Sequence, residues 1–328
     1  MTITENFWHS RNVFITGSTG ILGSWLTNEL INKGANIVAL VRDDVHSSNI
    51  HSLNLLKKIT RVNGNVEDFG LILRSVNEYE IDTIFHLGAQ TIVGTANRSP
   101  LPTFETNIKG TWNILESARQ LDTKRVIIAS SDKAYGSHEK LPYIEDAKLA
   151  GSHPYDVSKS CADLIAQAYY KTYGLPIAIT RCGNIYGGGD LNFSRIIPGT
   201  IKFLIENQSP IIRSDGKFIR DYFYIKDAVK AYLLLAEKLY ENGVTGEAFN
   251  FGTESPIDVI SVVGEIIRIS RKNHIRPKIL NEAQNEIRNQ YLSCEKARRL
   301  LNWMPDYTLI DGLKETYEWY VSNMTKII

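Results

Sequence analysis

Short apolar runs alternate with amphipathic stretches through the first half of the chain, and this alternation predicts parallel strands joined by crossover helices. The apolar runs predict strands at 12–17, 36–41, 82–89, 124–131 and 176–184. Stretches of helical period predict helices at 21–34, at about 103–121 and at 154–174. The order of these elements predicts an α/β fold with a doubly wound parallel sheet of the Rossmann type.

The pattern changes in the second half of the chain. The segment GGGDLNFSRIIPG (187–199) is predicted to be a loop, and helical stretches then mix with short extended segments. The segment AFNFG (248–252) predicts one more buried strand. We expect a Rossmann domain at 1–185, completed by the strand near 247–252, and a smaller mixed α/β lobe at 186–328.

A glycine pattern follows the first predicted strand and opens the first predicted helix. Gly17, Gly20 and Gly23 form a GxxGxxG series in this position. Glycines there permit a tight turn and the close approach of a pyrophosphate, to which the helix offers its free N–H groups. The alternative is a purely structural turn, but the strand–glycine–helix order favours dinucleotide binding.

The end of the second predicted strand bears on the choice of dinucleotide. An acidic residue there binds the ribose hydroxyls of NAD, whereas an Arg accommodates the 2′-phosphate of NADP. The sequence has Val41 at the expected acidic position, followed by Arg42. Arg42 favours NADP, while Asp43 and Asp44 keep NAD as the alternative. A solvated loop charge is the other interpretation of Arg42.

Tyr155 and Lys159 lie four residues apart on a predicted helix, so both project from one face. An ammonium near a phenol favours the phenolate, and we expect Lys159 to lower the pKa of Tyr155 from its usual value of about 10. Such a tyrosine can exchange a hydroxyl proton near neutral pH. An isolated pair of this kind is more often an exposed helix pair. Here it follows a strand that ends at Ser131, and such strand ends face the ligand crevice.

Composition narrows the classes of function. The chain has 328 residues with 37 basic and 36 acidic side chains, so its charge gives no reason to expect nucleic acid or an anionic membrane as a partner. Its three cysteines are widely spaced and fit a reducing cytoplasm. The N-terminal segment MTITENFWHSRN lacks the apolar core of a signal peptide, and no window has the roughly 18 apolar residues of a membrane span.

Several segments, in their order and spacing, resemble the extended short-chain dehydrogenase/reductase (NAD-dependent epimerase/dehydratase) family. Within it the chain is most similar to the nucleotide-sugar 4,6-dehydratases, and among those to the CDP-glucose branch. The segments that carry the resemblance are TGSTGILG (16–23), FHLGAQ (85–90), TNIKGT (106–111), SSDKAYG (130–136), PYDVSK (154–159), GNIYGGGD (183–190), RIIP (195–198), FNFG (249–252) and EWY (318–320).

The resemblance implies roles in catalysis. Tyr155 would take the proton of the sugar 4-hydroxyl while a hydride leaves carbon 4, Lys159 would bind the nicotinamide ribose, and Ser131 would hydrogen-bond the same hydroxyl. Asp132 would protonate the departing 6-hydroxyl, and Lys133 would remove the proton on carbon 5. A lysine base must be neutral, so Lys133 requires a pKa lowered by burial or by a nearby cation. The alternative is a substrate-binding or structural charge.

The resemblance also implies binding residues. Cofactor contacts are expected from Gly17, Thr19, Gly20, Ile21, Leu22, Gly23, Arg42, Asn65, Val66, Leu87, Gly88, Ala89, Asn107, Tyr155 and Lys159. Substrate contacts are expected from Gln90, Asn184, Arg195, Arg213 and Arg220. His86 falls in a cofactor-side segment, where a packing role is expected.

Two positions depart from the CDP-glucose pattern. Leu22 stands where that branch usually carries Lys, and Gly94 stands where it usually carries Arg. The departures leave the nucleotide base and the sugar open. His138 and His153 show no ligand spacing, and no metal is predicted.

Taken together, these residues and the resemblance predict a nucleotide-diphosphate-hexose 4,6-dehydratase. The resemblance also implies a homodimer that packs the helices near 103–121 and 156–173 of each copy together. A nucleotide-sugar 4-epimerase or related oxidoreductase is the alternative, because it needs Tyr155 and Lys159 but not the pair at 132–133. A non-catalytic dinucleotide-binding scaffold is a further alternative from another class. The presence of Ser131, Tyr155 and Lys159 together argues against it, because a scaffold has no use for a tuned phenol.

Overall fold

The computed structural model describes residues 7–282 and 286–327, so residues 1–6 of the N-terminal segment lie outside the described residues. The strands are β1 (Asn12–Thr16), β2 (Asn36–Val41), β3 (Thr60–Asn63), β4 (Thr83–His86), β5 (Arg125–Ala129), β6 (Ile177–Cys182), β7 (Asn184–Tyr186), β8 (Ile211–Ile212), β9 (Ile219–Arg220), β10 (Tyr222–Tyr224), β11 (Ala248–Phe251), β12 (Ile257–Asp258), β13 (Lys278–Ile279) and β14 (Asn289–Gln290).

The α-helices are α1 (Ile21–Asn32), α2 (Asn49–Ser52), α3 (Phe69–Glu78), α4 (Val93–Arg98), α5 (Pro100–Phe104), α6 (Gly110–Gln120), α7 (Pro154–Tyr173), α8 (Ile196–Ile205), α9 (Ile225–Glu237), α10 (Val259–Ser270), α11 (Glu295–Leu301) and α12 (Leu309–Ile327). A π-helical turn at Glu105–Lys109 joins α5 to α6, and 3₁₀ turns lie at Leu55–Lys58 and Asp132–Tyr135. Among the described helices, none combines the length and the apolar character that a bilayer crossing requires.

Seven strands form one parallel sheet in the order β11-β6-β5-β4-β1-β2-β3. The prediction of a doubly wound Rossmann-type sheet is confirmed. The strand order reverses between β1 and β4, and ligands of such sheets bind at the carboxyl ends of the strands near that point. The chain returns to the sheet late, when β11 pairs with β6.

The strands are buried on both faces because helices cover each side. Val13 and Ile15 of β1 pack in a cluster with residues of α1 and α9, whereas Phe14 packs on the opposite face with residues of α3, α6 and α7. This alternation follows from the period of two in a strand, and double burial explains why these strands are continuous apolar runs.

The second lobe has a core of its own, built from α8, α10 and α12 around β10. The prediction of a loop throughout 187–199 was wrong, because α8 begins at Ile196. Pro198 lies in the first turn of α8. Backbone N–H groups in the first turn make no hydrogen bond within the helix, so the lack of one in proline costs nothing there. A proline in the first turn is compatible with a helix, although the sequence pattern had indicated a loop here.

Candidate active site

A cleft of about 1020 Å³ lies between the sheet edge and the second lobe. One side is formed by the loops that follow β1, β2, β4, β5 and β6. The other side is formed by residues around α8, β8 and β9. The cleft therefore brings the predicted cofactor loop and the predicted catalytic residues into one cavity.

The glycine loop after β1 is shaped for close contact with a ligand. Gly17 has φ +75, and a Cβ atom there would lie 2.8 Å from the backbone nitrogen of Gly88. A Cβ on Gly23 would collide with the carbonyl oxygen of Gly17. The helix α1 begins directly after this loop, so its N-terminal N–H groups face the cleft. These residues fit the pyrophosphate of a dinucleotide.

Arg42 and Asp43 lie at the cleft immediately after β2 ends. Both side chains are more than half exposed, and Arg42 Nε donates a hydrogen bond of 2.6 Å to Asp43 Oδ2. The Arg42 side chain is thus held next to an acid that can itself accept ribose hydroxyls. Arg42, which favours NADP, and Asp43, which favours NAD, are therefore direct neighbours at the cleft.

Most of the other predicted cofactor residues also line the cleft. They are Thr19, Gly20, Ile21, Leu22, Val66, Leu87, Gly88 and Ala89. Asn65 and Asn107 do not belong to the lining, and neither does Gln90, which was predicted to bind the substrate. Their direct contacts stay predictions.

Asn107 is instead occupied with the protein itself. Its amide accepts from the backbone N–H of Gln90 at 2.7 Å and donates to the Gln90 carbonyl at 3.0 Å and to Ser158 Oγ at 2.9 Å. The side chain of Gln90 is turned to Ile92 and Thr103. Asn107 therefore ties the loop after β4 to α7, which positions the cleft wall.

His86, at the end of β4, has the packing role expected of it. Its ring nitrogens lie 2.8 Å from Thr16 Oγ1 and 3.1 Å from Thr111 Oγ1. Burial, with a smaller effect of the Lys159 charge, lowers the pKa of His86 to about 3. The ring is neutral at physiological pH and braces Thr16, whose hydroxyl accepts from the backbone N–H of Gly88.

Tyr155 and Lys159 lie on the first two turns of α7 and both line the cleft. The expectation that Lys159 lowers the pKa of Tyr155 is not met. Burial raises the pKa of Tyr155 to about 12, against the opposing effects of Arg195 and of a hydrogen bond with Ser131. Lys159 Nζ donates instead to the carbonyl of Ala129 at 2.7 Å. Burial also lowers the pKa of Lys159 to about 8.

Asp132 and Lys133 lie on the 3₁₀ turn that follows β5, and both line the same cleft as Tyr155. Asp132 is 3% exposed, and the Lys133 side chain is 19% exposed. Lys133 Nζ lies 3.4 Å and 3.5 Å from the two carboxylate oxygens of Asp132. Burial lowers the pKa of Lys133; Asp132 opposes this effect, and Arg220 adds to it. Both effects that were expected to lower the pKa of a lysine base, burial and a nearby cation, are present.

A buried ion pair holds the two catalytic elements together. Arg181 of β6 makes two hydrogen bonds to the carboxylate of Asp163 on α7, at 2.8 and 3.0 Å. The same guanidinium donates to the hydroxyl of Tyr135, which closes the turn carrying Asp132 and Lys133. The Tyr135 hydroxyl in turn donates to Asn250 of β11 at 2.7 Å.

Four of the predicted substrate residues, Asn184 and three arginines of the second lobe, reach the cleft. Lys133 Nζ lies 3.4 Å from Asn184 Oδ1. Arg195 pairs with Asp190 at 3.1 Å. Arg220 is 7% exposed, and its guanidinium donates to the carbonyls of Ile219 and Arg288 at 2.9 Å each. Arg213 also lines the cleft, with an exposed side chain. The structure thus gathers these four residues.

Two residues that the sequence analysis missed also belong to this region. Asp156, next to Tyr155, is 4% exposed, and burial raises its pKa while Lys133 opposes that rise. Gln290 on β14 is fully buried and accepts a hydrogen bond from Lys133 Nζ. Asp156 could have been found from its place beside Tyr155. Gln290 lies 157 residues from Lys133 in a polar stretch, which gives no sequence signal.

The two departures from the CDP-glucose pattern, Leu22 and Gly94, also line the cleft. Arg98, one helical turn after Gly94, comes within 3.8 Å of the Cβ position that Gly94 lacks. A cation therefore remains close to this position.

One group of potential metal ligands occurs among the described residues. Asp44, His46 and His51 have ligand atoms within 4.8 Å of one another. The Asp44 carboxylate already bonds His51 Nε2 at 2.6 Å and Arg61 at 3.0 Å. The absence of a metal stays a prediction.

Comparison with known proteins agrees with the geometry. The profile of the family described as GDP-mannose 4,6 dehydratase matches residues 14–316. The CDP-glucose 4,6-dehydratase of Salmonella typhimurium is 30% identical, over 97% of this chain and 92% of that protein.

Solved structures are similar along nearly the whole chain. A dTDP-glucose 4,6-dehydratase of Bacillus anthracis in complex with NAD has 27% identity and a TM-score of 0.84, covering 96% of this chain and 98% of that one. A UDP-glucose 4-epimerase of Thermotoga maritima with UDP-glucose has 26% identity and a TM-score of 0.88, covering 95% and 99%. The resemblance inferred from the sequence is confirmed, and the chain belongs to the GDP-mannose 4,6 dehydratase family.

Proposed function

We propose that the protein is a nucleotide-diphosphate-hexose 4,6-dehydratase, which converts its substrate to the 4-keto-6-deoxy sugar with loss of one water. The observation that carries this proposal is the pair Asp132 and Lys133, an acid and an amine within 3.5 Å of each other at the cleft that also holds Tyr155. Oxidation at carbon 4 alone does not require such a pair.

The first step takes place at Tyr155. A nicotinamide dinucleotide held by the glycine loop at 17–23 would supply hydride acceptance at sugar carbon 4 and hydride donation at carbon 6. The Tyr155 phenolate takes the proton of the 4-hydroxyl, and Ser131 orients that hydroxyl. Because burial raises the pKa of Tyr155, its phenolate is favoured only where positive charge such as Arg195 lies near.

The second step takes place at Asp132 and Lys133. The neutral amine of Lys133 removes the proton on carbon 5, which the new 4-keto group has acidified. The Asp132 carboxyl gives its proton to the 6-hydroxyl, and the bond from carbon 6 to oxygen breaks to release water. The Lys133 ammonium then returns a proton to carbon 5. The two groups thus need one proton between them at the start.

A nucleotide-sugar 4-epimerase is the second candidate. It is favoured by the likeness to the Thermotoga maritima epimerase, with a TM-score of 0.88. Tyr155 and Lys159 would suffice for that reaction. The buried acid and amine at 132–133 would then be without a chemical role, which is why we prefer dehydration.

For the cofactor, a nicotinamide dinucleotide, we infer a preference for NADP from Arg42, whose guanidinium lies at the cleft where β2 ends. Two observations favour NAD instead. Asp43 lies beside Arg42 and can bind ribose hydroxyls. The Bacillus anthracis relative was solved in complex with NAD.

We also propose a cytoplasmic homodimer. The helices α6 and α7 expose Trp112, Leu164 and Tyr173 to the extent of 43%, 53% and 58%. Large apolar side chains on adjacent helices suit a helical interface between copies. The three cysteines are free, as in a reducing compartment. Light scattering measures the dimer directly.

Incubation with CDP-, UDP-, dTDP- and GDP-hexoses tests the proposed reaction. We expect at least one nucleotide sugar to lose the mass of one water, detected by mass spectrometry. A product of unchanged mass would identify an epimerase, and no turnover of any of them would support the scaffold alternative.

Replacement of Lys133 by Met tests the assigned base. Dehydration should fall by at least about 100-fold, because the proton on carbon 5 has lost its acceptor. Oxidation at carbon 4, followed as reduced nicotinamide in a single turnover, should persist. Lys140→Met, at an exposed position on the same segment, serves as the control. Dehydration at a near-normal rate in Lys133→Met would show that another group is the base.

Replacement of Arg42 by Ala tests the cofactor assignment. The purified protein is loaded from an equal mixture of NAD and NADP, and the cofactor released on denaturation is identified by chromatography. We expect the ratio of NADP to NAD to fall by about tenfold or more, since a charged hydrogen bond to phosphate is lost. Asp43→Ala should move the ratio in the opposite direction. Equal ratios in the parent and in Arg42→Ala would refute binding of a 2′-phosphate.

A further inference from the structure

The Lys133 amine has a hydrogen-bond partner in the second lobe, the side chain of Gln290. Gln290 ends β14, where it pairs with Arg220 of β9. Its side chain is fully buried, and its Oε1 accepts a hydrogen bond from Lys133 Nζ. Its Nε2 has no hydrogen-bond partner among residues 7–282 and 286–327. A buried amide with one satisfied end and one orphaned end is uncommon, because the orphan carries a desolvation cost.

The backbone holds Gln290 firmly in this position. The preceding residue, Asn289, pairs with Ile219 on β9. The following residue, Tyr291, accepts from the backbone N–H of Tyr143 at 3.0 Å. Because both neighbours are fixed, the Gln290 side chain is directed at Lys133 by the sheet of the second lobe.

A side-chain amide suits both forms of an amine. An ammonium has three donors and needs acceptors, which the Gln290 carbonyl oxygen provides. A neutral amine has a lone pair, and rotation of the amide by half a turn brings an Nε2–H donor towards it. The orphaned Nε2 is therefore explained if Lys133 spends part of the reaction as a neutral amine.

We propose that Gln290 is a positioning residue that holds the Lys133 amine in place in both its charged and its neutral form. This inference rests on the proposed role of Lys133 as the base. Because Gln290 is neutral, its carbonyl oxygen favours the ammonium less than a carboxylate would. A carboxylate at the same position would retain the proton on Lys133.

Other charges act on the same amine and must be kept constant in a test. The titratable or charged groups around it are Asp132 on the same turn, Asp156 on α7 with His153 before it, Arg220 on β9, and beyond them Tyr143 and Tyr155. Substitution of Gln290 alone leaves all of them unchanged.

Gln290→Glu is nearly isosteric and adds one negative charge. An opposite charge at this distance should move the pH at which Lys133 loses its proton up by about one to three units. The midpoint is measured by competitive acetylation of Lys133 over a range of pH, with mass spectrometry of the peptide. The limb of the dehydration profile that rises with pH should move up by the same amount. Gln290→Met removes the acceptor, so both the acetylation midpoint of Lys133 and the rising limb of the dehydration profile should move to lower pH.

The control is Asn289→Asp, which adds the same charge on the exposed neighbouring position and should move neither midpoint. Thermal unfolding and cofactor content verify that each variant is folded. An unchanged acetylation midpoint in folded Gln290→Glu would overturn the proposal. A shifted midpoint with an unchanged dehydration profile would support control by Gln290 and contradict the assignment of Lys133 as the base.

Discussion

The ion pair between Arg181 and Asp163 is the constraint on which the catalytic geometry depends. Arg181 belongs to the sheet and Asp163 to α7, and both are almost completely buried. Leaving one partner of such a pair alone in the interior costs about 3–5 kcal/mol. The same guanidinium bonds Tyr135, so the turn at 132–135 and the helix of Tyr155 are fixed relative to one common group. Proton transfer at both sites therefore starts from a defined geometry.

A second constraint is the balance of charge among the buried groups of the cleft. Burial raises the pKa of Tyr155 and lowers that of Lys133, so each group is drawn towards its neutral form. For Lys133 the neutral form is the active base. For Tyr155 the neutral form is an acid, and Arg195 of the second lobe opposes the shift. The position of that lobe therefore bears on the acidity of the residue that begins the reaction.

The sequence predicted the framework well because the framework repeats simple patterns. Double burial makes the sheet strands continuous apolar runs, and the glycine series at 17–23 follows from the steric needs of a tight turn. It predicted the gathering of Ser131, Asp132, Lys133 and Tyr155 because carboxyl ends of parallel strands share one edge.

The remaining features depend on contacts that no local pattern encodes. Asn107 occurs in a segment typical of cofactor binding, yet its amide is occupied with the loop of Gln90. The effect of Lys159 on Tyr155 was wrongly predicted because helical spacing gives the shared face but not the competing acceptor, the Ala129 carbonyl. Gln290 meets Lys133 only through the pairing of β14 with β9.

In the proposed reaction, one enzyme oxidises sugar carbon 4, eliminates water and reduces carbon 6 with the hydride that it took from carbon 4. A nucleotide hexose carrying deuterium on carbon 4 tests this most directly, with the product examined by mass spectrometry and nuclear magnetic resonance. We expect a 4-keto-6-deoxy sugar with the deuterium on carbon 6. A product that keeps its water and carries the deuterium on carbon 4 would contradict it.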